Sequence, residues 1–310
     1  MKKRWLWFVV IVLIMIPVVS VITLNKERIG MKPVVEAKAV VLMDLNTGRV
    51  LFSQNGDVPL PPASMSKLMA ELIVLDEIKA GTHSWDEKVM ISEYASSVSG
   101  VQLSLNKGDV LTVRELFQSM AVYSANDAAV ALAEHFAGSE ENFVRHMNQK
   151  AKKLQLSSGS YFANVSDIQT DPKELSGSQV HERETRMTAL DTAKLAAYLI
   201  NHHPDILDTS SKTQMRLQGR DLYLSNTNWM LPSLAGPYSY EGTDGLKTGF
   251  TENAGYCFTG TAAKGGSRLV AVVMGTKSEE ARFEETRKLF DYGFSKILTW
   301  RERLDDWFHV

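Results

Sequence analysis

Residues 62–81 hold the pattern that most constrains how this chain can fold. Apolar side chains follow Lys67 at α-helical spacing until Gly81, a common stop signal. They predict a buried helix that begins near Pro62, with Ser64 in its first turn and Lys67 one turn later on the same face. An amine placed there can take the proton of a hydroxyl at the positive end of the helix dipole, which is the arrangement of an activated serine nucleophile.

A simpler interpretation of the same residues stays open. A Ser-x-x-Lys motif is expected about once by chance in a chain of this size. Ser64 would then be an ordinary N-terminal capping residue, and Lys67 a solvated charge. A second such motif, at 104–107, runs into a Gly-Asp turn signal and does not start a predicted helix.

Length and composition limit the class of protein. The 310 residues are 44% hydrophobic and carry a net charge of −2, so the chain can bury a substantial core and lacks the basic surplus of nucleic-acid binders. Seven histidines and one cysteine show no metal-ligand spacing. We therefore expect no nucleic-acid partner, no metal and no cofactor, and we expect Cys257 to be a small buried residue on a strand.

Residues 1–30 are predicted to form a separate membrane segment. Three basic residues precede an apolar run from Trp5 to Leu24, long enough as a helix to span about 30 Å of hydrocarbon. We expect an uncleaved transmembrane anchor in the cell membrane, with a cytoplasmic N-terminus and the rest of the chain outside. The alternative is a cleaved signal that frees a secreted protein after about residue 36, since Ala37-Lys38-Ala39 matches the cleavage pattern.

The rest of the chain has β-rich ends and a helical middle. Residues 39–43 and 49–52 are predicted to form one strand pair, and residues 255–261 and 269–274 another. Residues 92–100 are predicted to be irregular, and 156–186 give no confident element. Further helices are predicted from a capping box at Thr112 and Glu115, an alanine-rich segment ending at Gly138, caps at Ser139 and Ser278, and a segment from Thr188 to Pro204.

Two more motifs lie at positions where polar side chains can reach a cleft. Ser124-Ala125-Asn126 falls on a short connection between two predicted helices, although the same Ser-x-Asn pattern recurs at 53–55 and 104–106. Lys247-Thr248-Gly249 occurs once and opens the second β region, where the simpler interpretation is an edge strand with a solvated lysine.

In this order and context, the three motifs resemble the penicillin-binding protein and serine β-lactamase group, most closely the low-molecular-mass serine D-alanyl-D-alanine carboxypeptidases. The resemblance extends over Ala37–Leu298 and includes the segments 62–69, 244–251 and 254–257. It implies an α/β (α+β) fold, with an antiparallel β-sheet flanked by helices. The implied domains are a catalytic domain at 31–298 with an inserted helical subdomain at about 85–205, and a tail at 299–310, besides the N-terminal transmembrane helix.

The resemblance also implies a role for each motif residue. Ser64 would attack the carbonyl between the last two D-alanines of a peptidoglycan stem peptide, Lys67 would take its proton, and Ser124 would pass a proton to the departing D-alanine. A free lysine has a pKa of about 10.4, so a base at neutral pH needs a pKa lowered by about 3, or roughly 4 kcal/mol. The implied substrate-binding residues are Asn126 for an amide, Lys247 and Thr248 for the terminal carboxylate, Gly249 for close approach of the strand to the substrate, and Phe250, whose N–H would join that of Ser64 in an oxyanion hole.

β-Lactam antibiotics are the covalent inhibitors that this resemblance implies. An endopeptidase acting on cross-links would use the same residues with a wider cleft. A serine β-lactamase of class A would carry a Glu-x-x-Leu-Asn loop, and the sequence has none. A non-enzymatic wall-binding module would have lost motif residues, whereas all three motifs are intact.

Overall fold

The computed structural model describes residues 32–166, 184–217 and 222–298. The predicted N-terminal anchor and the tail at 299–310 lie outside these residues, as does most of the stretch between 156 and 186. Within the described ranges, every helix is too short or too polar to cross a bilayer.

Nine strands are found in the described residues, and five of them form one antiparallel sheet in the order β2-β1-β9-β8-β7. The strands are β1 (Ala39–Asp44), β2 (Val50–Gln54), β3 (Lys88–Met90), β4 (Val110–Thr112), β5 (Gln214–Leu217), β6 (Leu222–Ser225), β7 (Thr243–Thr251), β8 (Gly255–Lys264) and β9 (Ser267–Thr276). The predicted strand pairs at both ends of the chain are confirmed and meet in this sheet, where β1 pairs with β9. Cys257 is buried on β8, as predicted.

Eight α-helices are found in the described ranges: α1 (Lys67–Ala80), α2 (Glu93–Ser97), α3 (Val113–Gln118), α4 (Asn126–Ala137), α5 (Glu140–Lys153), α6 (Ala189–His202), α7 (Ile206–Ser210) and α8 (Glu279–Ile297). The predicted starts are confirmed where a side chain caps the helix: Thr112 with Glu115 on α3, Ser139 on α5, Thr188 on α6 and Ser278 on α8. The prediction that 92–100 is irregular is wrong, because Ser92 accepts a hydrogen bond from the Ala95 N–H and starts α2. The two-stranded sheets β3–β4 and β5–β6 and the one-turn helix α7 were not predicted.

The sheet separates two apolar cores. Alternate residues of β1 face opposite ways, so Val40 and Leu42 pack with α8, while Val41 and Met43 pack with α1, α4 and α6. On α8 the predicted apolar face is confirmed at four buried residues, each worth about 1.5–3 kcal/mol of burial: Phe283, Leu289, Phe290 and Phe294. The mixed α/β architecture with an antiparallel sheet, as the resemblance implied, is thereby confirmed.

Helix α1 is the central element of the larger core. Its first nine residues, Lys67 to Leu75, are all buried. It ends at Gly81, which takes the left-handed conformation at a φ of +76° and bonds back to the last turn. The N-terminal end of α1 therefore lies deep in the protein, beside the edge strand β7.

Candidate active site

Ser64 lies on a 3₁₀ turn, Ala63–Ser66, that leads into α1. Ala63 has a φ of +49°, a left-handed conformation that costs a residue with a Cβ about 1 kcal/mol or more. Beneath the turn, Met65 is fully buried and its sulfur accepts a hydrogen bond from Thr259 on β8. Ser64 is half-buried, whereas Ser66 and Lys67 are fully buried, so the turn exposes the hydroxyl of Ser64 alone.

Lys67 joins two of the predicted motifs. Its Nζ donates hydrogen bonds to Ser64 Oγ at 2.9 Å and to Asn126 Oδ1 at 2.8 Å, and it lies 3.4 Å from the carbonyl oxygen of Ser166. Asn126 in turn donates through Nδ2 to the Ser99 carbonyl, which turns its amide oxygen toward the lysine. The interpretation of Lys67 as a solvated charge is wrong, because none of its side chain is exposed.

Ser124 precedes α4 at the end of a π-helical turn, Ser119–Tyr123, and has a φ of +71°. Its hydroxyl is buried and has no hydrogen-bond partner among the described residues. A buried hydroxyl is normally paired, so one left unpaired at a cleft is suited to a bound molecule. The connection is held by Asp127, whose carboxylate accepts hydrogen bonds from the N–H groups of Leu103 and Leu105.

Lys247 lies on β7, the outer strand of the sheet, and only 1% of it is exposed. The simpler interpretation, an edge strand with a solvated lysine, is therefore half right. The strand is at the edge of the sheet, but the lysine is buried. Its Nζ donates to the Thr248 carbonyl at 3.3 Å, and Thr248 Oγ1 donates to Thr227 Oγ1 at 2.6 Å. Thr227 is a neighbour of the site that no sequence pattern marked.

Gly249 is the point where β7 touches the turn that carries Ser64. A Cβ atom added there would lie 2.8 Å from the Pro62 carbonyl oxygen and 3.0 Å from the Ser64 nitrogen. A side chain at this position would therefore push the strand away from the turn that carries Ser64. This is a different reason for glycine from the predicted approach to a substrate. Phe250 follows, with its ring 44% exposed and stacked on Tyr256.

Glu71 is a member of this site that the sequence interpretation missed. It lies on α1, four residues after Lys67, and only 2% of it is exposed. Burial raises the pKa of Glu71, and the charges of Lys247 and Lys67 oppose that rise. Its Oε1 atom has no hydrogen-bond partner among the described residues. The available signal was a single carboxylate at Lys-x-x-x-Glu spacing within an otherwise apolar helix.

The charges of the pocket are unequal. Burial lowers the pKa of Lys247, the charge of Glu71 counteracts this, and the buried guanidinium of Arg282 adds to it. Arg282 itself pairs with Glu279. Two buried lysines thus share one buried carboxylate, which can balance the charge of only one of them.

Residues 26–278 match the family model described as D-alanyl-D-alanine carboxypeptidase. The chain belongs to this family. Its resemblance to the family, inferred from three short motifs, is therefore confirmed over most of the chain.

Relatives and solved structures agree with this assignment. The chain is 36% identical to the D-alanyl-D-alanine carboxypeptidase DacF of Bacillus subtilis and 33% identical to DacC of Escherichia coli, over 85% and 84% of its own length. It spans 64% and 62% of those two proteins, less than two thirds of each. The ampicillin-bound crystal structure of penicillin-binding protein D2 from Listeria monocytogenes superimposes with a TM-score of 0.74 at 34% identity, covering 85% of this chain and 99% of that one.

Proposed function

We propose that the chain is a serine-type D-Ala-D-Ala carboxypeptidase that removes the terminal D-alanine of peptidoglycan stem peptides through an acyl-enzyme on Ser64. The observation that supports this most directly is the 2.9 Å contact between the half-buried Ser64 hydroxyl and the buried Lys67 amine. The names of the relatives agree with it. The activity is proposed for this chain, and not assigned to it, because the chain spans less than two thirds of the relatives DacF and DacC.

The acylation step follows from the positions of three side chains. Ser64 Oγ attacks the carbonyl carbon of the scissile peptide bond, and a neutral Lys67 takes the hydroxyl proton. The N–H groups of Ser64 and Phe250 are proposed to stabilise the oxyanion, a contribution of about 3 kcal/mol for each donor. Ser124 then passes a proton to the leaving amine, the C–N bond breaks, and D-alanine departs. A water molecule later hydrolyses the ester and restores the Ser64 hydroxyl.

Recognition of the substrate's terminal carboxylate is assigned to Lys247 and Thr248. The buried amine of Lys247 and the hydroxyl of Thr248 are adjacent on β7, next to the turn of Ser64. A lysine in a water-excluded position attracts a carboxylate more strongly than one in solvent does. A requirement for a free carboxylate makes the enzyme a carboxypeptidase. Asn126 is assigned to a substrate amide.

β-Lactams are proposed to acylate Ser64 as stable substrate mimics. The ampicillin-bound form of the Listeria protein, which covers 85% of this chain, supports this proposal.

The proposed location is the outer face of the cell membrane, with residues 1–30 as the anchor. The apolar run from Trp5 to Leu24 supports it.

The decisive experiment compares wild-type protein with the Ser64→Ala and Ser104→Ala variants. Ser104 begins the second Ser-x-x-Lys motif and is a matched control. We expect wild type and Ser104→Ala to release D-alanine from a stem pentapeptide, and to carry a benzylpenicillin adduct on the Ser64 peptide by mass spectrometry. Ser64→Ala should lose both. An adduct on any other peptide would overturn the assignment of the nucleophile, and faster cleavage of cross-linked than of uncross-linked muropeptides would favour the endopeptidase alternative.

A further inference from the structure

Three side chains that can ligate a metal ion meet at the far end of α1 from Ser64. His83 follows the end of α1, Glu87 immediately precedes β3, and His135 lies in the last turn of α4. One ligand atom from each of them lies within 4.8 Å of the other two. All three residues are half-buried, which sets this cluster apart from a group of solvated surface charges.

The two rings converge on one carboxylate oxygen. His83 Nδ1 lies 2.8 Å from Glu87 Oε2, and His135 Nε2 lies 2.9 Å from the same oxygen. The other oxygen, Oε1, accepts a hydrogen bond from the Ser84 N–H at 2.7 Å, which fixes the orientation of the carboxylate. The ring of Phe136 packs against His83 at 4.3 Å and limits how that ring can turn.

The donor atoms of the cluster suit a cation. Two imidazoles and one carboxylate are a donor set that zinc and other divalent transition metals accept. The partly exposed rings leave room for water to complete the coordination.

We propose that His83, Glu87 and His135 bind a divalent transition-metal ion, with zinc as the reference ion. Zinc bonds of about 2.0–2.2 Å in tetrahedral geometry separate neighbouring ligand atoms by roughly 3.3 Å, so the two N···O distances need to open by only about half an ångström. When a neutral imidazole binds the metal through the nitrogen that faces Glu87, its proton is carried on the other ring nitrogen. Metal binding thus changes the tautomer of His83 and of His135 and needs no co-reactant.

The site is structural and lies away from the chemistry at Ser64. The 14 residues of α1 extend about 21 Å between Lys67 and the turn that contains His83. An ion there would connect the C-terminal ends of α1 and α4 to the start of β3. Because it binds the folded chain alone, it should raise the melting temperature and leave the turnover at Ser64 unchanged.

The test is a titration of the chelator-treated full chain with zinc chloride, followed by calorimetry and thermal melting. The variants are His135→Gln and His83→Gln, and the matched control is His146→Gln, an exposed histidine on α5 outside the cluster. We expect one stoichiometric site in wild type and His146→Gln, with a rise in melting temperature that EDTA reverses. Each cluster variant should lose at least about tenfold in affinity, since loss of even an outer ligand partner costs that much. Cobalt chloride should give the visible absorption of a low-symmetry site in wild type and in His146→Gln, but not in the two cluster variants.

Two results would overturn this site. One is an absence of saturable zinc binding in wild type, which would leave a hydrogen-bonded cluster. The other is equal zinc affinity in wild type and in both cluster variants, which would place the binding elsewhere. Circular dichroism of the two variants at the start of the titration shows that they are folded, so a loss of binding is not confused with a loss of structure.

Discussion

Glu71 lies in the candidate active site with Lys67 and Lys247, and its charge affects how many cations the site can hold. Burial favours the neutral form of every one of these groups. The ionised carboxylate and the ionised amine of Lys247 stabilise one another against this tendency. The proposed mechanism needs Lys247 charged and Lys67 neutral. One carboxylate, that of Glu71, is enough to balance the single charge of Lys247.

The Glu71→Gln variant should move the alkaline limb of the kcat/KM profile to lower pH. Glu71 raises the pKa of Lys247, so its removal lets Lys247 lose its proton, and its hold on the substrate carboxylate, at a lower pH. We expect a shift of about one pH unit, or 1.4 kcal/mol, measured as D-alanine release over a pH series. Glu77→Gln, a more exposed carboxylate on the same helix, is the control. Coincident profiles for wild type and Glu71→Gln would show that Glu71 does not set the charge of Lys247.

Sequence patterns predict a residue well when its neighbours along the chain explain it. Ser64 and Lys67 were identified because they lie one helical turn apart, and Asn126 because its motif falls between two predicted helices. In the sequence, Glu71 is a single polar residue in an apolar helix, and its role becomes visible only from its burial near Lys247 of β7. The proposed metal site at His83, Glu87 and His135 was missed for a related reason, since Glu87 and His135 are 48 residues apart in sequence.

At the level of elements, the contact between β7 and the turn before α1 determines the position of Ser64, the proposed nucleophile. The two elements are far apart in the chain, and Gly249 permits their backbones to meet. Four helices that begin with a capping side chain, α3, α5, α6 and α8, were predicted to start at that cap because a cap is a local signal, whereas the Ser92 cap of α2 was missed. The strands β5 and β6 have four residues each, and so short a segment carries little of the alternating pattern from which a strand is predicted.

Gly249→Ala should lower kcat by about a hundredfold, because the added Cβ displaces the Ser64 turn from the strand that positions it. The overlap with the backbone of Pro62 should also cost about 1–3 kcal/mol in the free energy of unfolding. Steady-state kinetics and urea unfolding measure the two effects. Gly236→Ala is the matched control, since a Cβ there meets nothing within 4 Å. Wild-type kcat in Gly249→Ala would contradict the close contact.

At the scale of the whole molecule, Asp76 ties α1 to two other helices. It accepts hydrogen bonds from Lys150 on α5 at 2.6 Å and from His203, at the end of α6, at 2.8 Å. Burial alone would raise the pKa of Asp76, but the hydrogen bonds from Lys150 and His203 outweigh it and lower the pKa. The folded chain therefore holds this carboxylate in its ionised form more firmly than the unfolded chain does.

The stabilising effect of Asp76 should be present above the ordinary aspartate pKa of about 3.9 and disappear as the pH falls through the lower folded-state value. Asp76→Asn should lose about 1 kcal/mol of unfolding free energy at neutral pH, after allowance for partial exposure. Its disadvantage relative to wild type should shrink on acidification. Urea unfolding at a series of pH values measures this, with the exposed Asp57→Asn as control. A constant difference at every pH would contradict the linkage.

The dehydrated amines of Lys67 and Lys247 have a consequence for heat resistance. Apolar side chains of similar volume at both positions and at Glu71 would avoid the free-energy cost of moving charged groups from water into the protein interior. Selection for thermostability alone would therefore replace these lysines early. Their presence at the centre of the molecule indicates that the folded state gives up some stability in exchange for the proposed chemistry at Ser64.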